Sequence, residues 1–161
     1  MNNQQDPLDH RWGPQHYDDH LALKVPALMW LTLAFLVRHL LLLGITFMPT
    51  TGDEITVLRE LIRPEYLIAD LIALPLLVVA LRRRPQAPDW MRKLWSAGRS
   101  LLTLSALVYL ALLGGTLLQS ERRFMETVNE ATLISILLSM AVLLYLWRSM
   151  LARDLFRDWP T

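Results

Sequence analysis

Apolar residues along this chain gather in long blocks, and the charges fall in the gaps between them. A helix lying in water keeps a polar face, so its charges return every few residues. Here whole stretches of a dozen residues and more carry none, the pattern of helices surrounded by lipid. Four segments follow. The first, residues 25–47, reaches ~34 Å at helical rise, enough for a ~30 Å hydrocarbon core. Arg38 and His39 interrupt it. A mid-span arginine costs roughly 2.5–3.5 kcal/mol on insertion scales, and each Leu, Ile, Phe or Val returns about 0.3–0.6, so the apolar residues outweigh it. The second, residues 65–81, contains Asp70 and Pro75 and starts beside Pro64, a residue suited to a first helical turn. Its length is near the lower limit, and Pro75 predicts a kink or irregular turn. It reads as a full span, with a re-entrant or tilted half-span as the alternative. Residues 100–118 and 131–147 are free of charge, and the latter ends in Tyr145 and Trp147 followed by Arg148, an interfacial anchor.

The fold class expected is therefore all-α: a polytopic transmembrane bundle of about four helices with short loops, between a polar tail (residues 1–24) and a second tail (residues 148–161). Residues 1–24 lack the basic start of a signal peptide, and the first apolar block is too long for one, so it reads as a retained span. Eleven of the 16 Lys and Arg residues lie in the two tails and the loop 82–99. The positive-inside rule places those three segments, and so both termini, in the cytoplasm. A net charge of +1 leaves no electrostatic footprint for nucleic acid. Without cysteine there is no disulfide, iron–sulfur cluster or thiol nucleophile.

Charges inside spans are candidates for function by default. Arg38 and Asp70 stand at depths that let them meet if the first two segments pack side by side, either as a pair lining a substrate or proton path or as a clamp neutralising two costly charges. The clamp, or separate snorkelling, is the simpler reading. His39 points about 100° around the helix from Arg38 and reads as a packing or hydrogen-bonding residue. His16 and His20 have a possible metal-ligand spacing on a helix, but Pro14 precedes them and the tail reads as solvated, so no metal or cofactor is expected. In the loop, Trp90, Leu94 and Trp95 fall on one helical face beside Arg92 and Lys93, like an amphipathic helix in the headgroup layer. With Arg82, Arg83, Arg84 and Arg99 they read as topology-setting charge or a surface for anionic lipid. Ala111 with Gly115, and Ser135 with Ser139, are small residues at i, i+4 spacing, expected to face each other where segments three and four pack.

Residues 17–26 (YDDHLALKVP) followed by Trp30-Leu31, Arg38 within the first span, Arg63-Pro64, Pro75, Arg83-Arg84-Pro85 and the run Trp95-Ser96-Ala97-Gly98-Arg99 resemble the YfeZ-like family of uncharacterised proteobacterial inner-membrane proteins, domain-of-unknown-function family 2919. The resemblance covers roughly residues 16–118. It implies a bacterial inner-membrane location and no activity. The chain departs where the family often has glycine in the second span; Ala69, Asp70 and Ala73 stand there instead, so the resemblance does not extend to a close-packing role for that span.

No phosphate-cradling glycine loop and no serine or zinc hydrolase motif is present. The leading expectation is a non-enzymatic accessory or scaffolding subunit, in contact with the bilayer and with a membrane-protein partner or further copies of itself. The alternative is a small oligomeric transporter or channel using Arg38 and Asp70. A membrane-embedded lipid enzyme, drawing on Arg38, His39, Asp70, Asn129 and Glu130, ranks last.

Overall fold

The structure, a computed structural model, describes residues 12–13, 16–17, 22–47, 64–119 and 130–160. Helices α1 (Ala27–Leu36) and α2 (Arg38–Thr46) come first. A 3-10 turn, Pro64–Tyr66, then leads into α3 (Leu67–Leu81). Next are α4 (Asp89–Ser96), α5 (Gly98–Gln119), α6 (Glu130–Arg148) and α7 (Met150–Leu155). Three stretches, Pro64–Leu81, Gly98–Leu118 and Glu130–Arg148, are long and apolar enough to cross a membrane. They lie over the second, third and fourth segments expected from sequence. The helix α3 continues through Pro75, whose ring is exposed, so no packed neighbour has to yield to it.

The first segment is not the straight helix expected. α1 and α2 meet at Val37 at an angle of 67°, where the backbone leaves helical geometry (φ −108°, ψ 13°). Neither piece crosses a bilayer alone, being ~15 and ~14 Å long at helical rise.

α3 is the centre of the bundle and touches α1, α2, α4 and α5. Its buried residues Ala69, Ala73, Leu76 and Ala80 recur at helical spacing and line one face. Opposite them on α5 stand Leu102, Ser105, Ala106, Tyr109 and Leu113. Ser105 donates its hydroxyl to the Ala69 carbonyl at 2.9 Å. In lipid no hydrophobic force drives helices together, so small side chains that bring backbones close decide which faces meet. Ala69 and Ala73 are fully buried. The alanines standing in place of glycine therefore pack closely all the same.

The small pairs on α5 and α6 behave differently from expectation. Ala111 is exposed, and a side chain on Gly115 would meet nothing within 4 Å. The buried stripe of α5, Leu102 to Leu113, lies on another face, so Ala111 and Gly115 do not form a close helix contact. On α6, Ser139 is buried but spends its hydroxyl on the Ser135 carbonyl within its own helix. The outward face of α6 is rich in leucine and isoleucine, including Leu133, Ile134, Leu137 and Leu144.

One end of the bundle is capped. Trp95 of α4 is buried, donates its indole N–H to the Leu155 carbonyl at 2.8 Å, and packs on Phe156 (5.0 Å) and Trp159 (6.3 Å). Gly98, at the α4–α5 junction, is where α5 slides under that lid. A β-carbon there would stand 2.6 Å from Phe156 and 2.9 Å from Leu76. Ser149 starts α7 by accepting the Ala152 N–H at 3.1 Å, a side-chain cap of the first helical turn. Leu23, just ahead of α1, gives its N–H to the Asp158 carboxylate at 2.6 Å. Trp12 donates to Asp154 at 3.2 Å. The described parts of both tails are thus folded onto the bundle end rather than left in solvent, because they carry the aromatic and carboxylate groups that cover it.

Candidate functional site

In a continuous α-helix the carbonyl of Phe35 accepts from the N–H of residue 39, and that of Leu36 from residue 40. At the break these bonds are replaced. Val37 N–H still reaches the Leu33 carbonyl, and Leu41 N–H reaches the Val37 carbonyl, both at 3.0 Å. Between them, Leu40 N–H donates to Oδ2 of Asp70 at 3.0 Å, and the Phe35 carbonyl accepts from Nη1 of Arg38 at 2.9 Å. Asp70 projects from the first turns of α3 and supplies the capping acceptor that α2 lacks in its own sequence. A negative group at a helix N-terminus and a cation at a helix C-terminus are both favourable, typically by about 0.3–1 kcal/mol each and more when buried. Arg38 closes α1 and Asp70 opens α2.

The second carboxylate oxygen, Oδ1, lies 3.1 Å from Nδ1 of His39. A carboxylate only accepts, so Nδ1 is the donor. Asp70 is 1% exposed and His39 6%. Tyr66 and Tyr109 wall the histidine, with ring centroids 5.3 and 5.8 Å away and 5.1 Å from each other. The Arg38 guanidinium is held between the faces of Phe35 (4.1 Å) and Tyr109 (4.3 Å). Its Nη2 is buried and makes no hydrogen bond. Tyr109 is near the middle of α5, ~17 Å from the capped end at helical rise. The cluster therefore sits at mid-depth of the longest helix.

The carboxylate partner expected for Arg38 is thus taken by its neighbour: Asp70 pairs with His39, and Arg38 and Asp70 form no ion pair. The bend explains this. Once α2 turns away at Val37, His39 and Leu40 face α3, while Arg38 reaches back over the end of α1. Among the described residues no group of three or more His, Cys, Asp or Glu is placed to hold a metal. His16 lies on the tail beside Trp12, with Nδ1 3.3 Å from the Gly13 carbonyl. His20 and Asn129 fall outside the described residues, and Glu130 is exposed.

The basic loop separates into two classes. Arg82, Arg84, Arg92 and Lys93 are exposed, as is Trp90 at 56%. Arg83 and Trp95 are not part of a surface. Arg83 donates to the Leu23 carbonyl at 2.5 Å and to the Asp158 carbonyl at 2.9 Å, and lies over Trp95 at 5.1 Å. Trp90 and Trp95 consequently do not share a face; the buried side of α4 is Met91 and Trp95, one helical turn apart. Arg99 is half-buried, 3.3 Å from the Trp147 carbonyl and over its ring at 5.6 Å.

Sequence reasoning missed Tyr66, Ser105, Tyr109, Asp158 and Trp159. Ser105 and Tyr109 carried a signal, being polar-tipped residues one turn apart in a segment otherwise nearly all aliphatic. A family model described as Protein of unknown function (DUF2919) matches residues 12–158, further toward both ends than the resemblance read from sequence. No curated protein and no solved structure matches the chain.

Proposed function

The chain belongs to the DUF2919 family, whose description assigns no activity, and we propose from its own geometry that it is a non-enzymatic accessory or scaffolding subunit of a bacterial inner-membrane assembly. The observation that carries this reading is the use made of Asp70. Both its oxygens are committed to groups of the fold, His39 Nδ1 and Leu40 N–H, its side chain is buried, and the histidine it holds is walled by Tyr66 and Tyr109. An intramembrane carboxylate spent on capping a helix is a building element rather than a relay. The outward leucines of α6 leave a long apolar face for lipid or a partner's helices.

The bent pair reads as a single broken crossing. Leu23, ahead of α1, meets Arg83 and Asp158 at the capped end, and α2 starts beside Asp70, ~17 Å along α3 from Leu81. At a bend of 67° α2 still advances, by about 5 Å, along the axis of α1. On this reading the chain makes four crossings, the upper number its long apolar helices and the bent pair allow. The exposed basic residues Arg82, Arg84, Arg92, Lys93, Arg153 and Arg157 all lie at the capped end, which supports placing that end, and both termini, in the cytoplasm. Affinity purification in mild detergent tests the scaffold reading. A stoichiometric membrane partner is expected, and recovery of the chain alone counts against it.

One observation favours the transporter reading: the Nη2 of Arg38 is buried without a partner beside a helix break at mid-depth, and transporters place their substrate sites at such breaks. Reconstituted flux abolished by Arg38→Leu would support it, and flux indifferent to that change would remove it.

A further inference from the structure

Beside the cap, a groove of about 430 Å³ opens between α5 and α6 on the flank of the bundle. Its chemistry is graded. Arg99 and Ser100 stand at the capped end, Thr103 one turn along, and Leu104 and Leu107 beyond, over ~12 Å of helix in all. Trp147, in the last turn of α6, forms the other wall. Tryptophan and arginine together mark the depth where headgroups meet hydrocarbon. Among the described residues no carboxylate contacts Arg99. The one hydrogen bond of its guanidinium is a long one to a neutral carbonyl, and the Ser100 hydroxyl makes none. The exposed Arg148 follows Trp147 at the same end. This differs from Arg83, whose guanidinium is engaged by the cap.

We propose that this groove is a binding site for an anionic phospholipid. The phosphodiester takes the free guanidinium edge of Arg99 in a charge-assisted, two-oxygen contact, Ser100 donates to the same phosphate, and an acyl chain runs over Leu104 and Leu107. The site selects against zwitterionic lipid because its lining offers a cation and no acid: a choline or ethanolamine group would face Arg99 with nothing to neutralise it. The inference needs only the membrane location of the fold and is independent of the scaffold reading.

Native mass spectrometry of the full chain in non-ionic detergent, with phosphatidylglycerol or phosphatidylcholine added, tests it. The first phosphatidylglycerol adduct should be favoured about tenfold: both lipids carry the phosphate, and phosphatidylcholine alone sets a second cation beside Arg99. Arg99→Gln should bring the two lipids near parity, and Arg99→Lys should retain part of the preference. Leu104→Trp, which fills the groove from an exposed position, should reduce adducts of both lipids. Arg84→Gln should change nothing, and equimolar inorganic phosphate should not displace the lipid. A preference that survives Arg99→Gln, adducts indifferent to Leu104→Trp, or displacement by inorganic phosphate would each overturn the proposal. Co-purification of a partner bears on none of these outcomes.

Discussion

Two arginines are built into this bundle, and they are neutralised in different ways. Arg38, at mid-depth, is stacked between Phe35 and Tyr109 and bonds a carbonyl of its own segment. The nearby carboxylate is used elsewhere, on the backbone of α2 and on His39. Arg83, at the capped end, binds two carbonyls brought by the tails and lies 3.9 Å from the Asp158 carboxylate. The difference follows from the solvent at each depth. At the water's edge, chain segments can fold back and offer carbonyls. In mid-bilayer an unpaired backbone N–H has no water to fall back on, so the acid serves the broken helix first and the arginine turns to aromatic faces, which attract a desolvated cation by about 2 kcal/mol or more.

If that contrast holds, losses of stability should follow the depth. Asp70→Ala should be the most damaging change. It strands Leu40 N–H and His39 Nδ1 together, an expected loss of about 3–5 kcal/mol, read from unfolding in mixed detergent micelles. Asp70→Asn, which keeps an acceptor, should fall roughly half as far. Arg83→Leu should follow at about 2–3 kcal/mol, the value of hydrogen bonds to a charged group. Limited proteolysis should then cut in residues 150–160 with the bundle intact. A larger loss from Arg83→Leu than from Asp70→Ala would reverse the order of the two regions. Gly98→Val, which drives a side chain into Phe156 and Leu76, should lose about 1–3 kcal/mol. Gly115→Leu faces open space and should stay within ~0.5 kcal/mol. A larger loss there would show that this face of α5 is covered by another chain.

The three later spans were legible because lipid imposes length and apolarity directly on sequence, and each block of residues 65–81, 100–118 and 131–147 carries that stamp. The break in the first was not. Val37 is an ordinary residue with no glycine or proline beside it, and the group that stabilises the bend is Asp70, 31 positions from His39. The sequence did present Arg38, His39 and Asp70 as unusual, yet which of the first two met the acid depended on a bend that local pattern does not record. Helix packing failed for a related reason. Ala111 with Gly115 and Ala69 with Ala73 are equivalent as i, i+4 pairs, and only the arrangement of whole helices decides that the second pair is buried. Trp95 beside cations fits a headgroup anchor and a cap equally well. The tails that distinguish the two readings looked polar because Asp154 and Asp158 mask the aromatics Phe156 and Trp159 between and beside them.

The bend of the first apolar segment at Val37 can be read directly as a distance. The chain has no cysteine, so nitroxide labels can be placed by Leu28→Cys and Phe47→Cys, both at exposed positions on either side of the bend. Electron–electron resonance on the reconstituted protein should give a backbone separation of ~24 Å for a 67° bend. A straight helix would give ~29 Å, and that result would contradict the account.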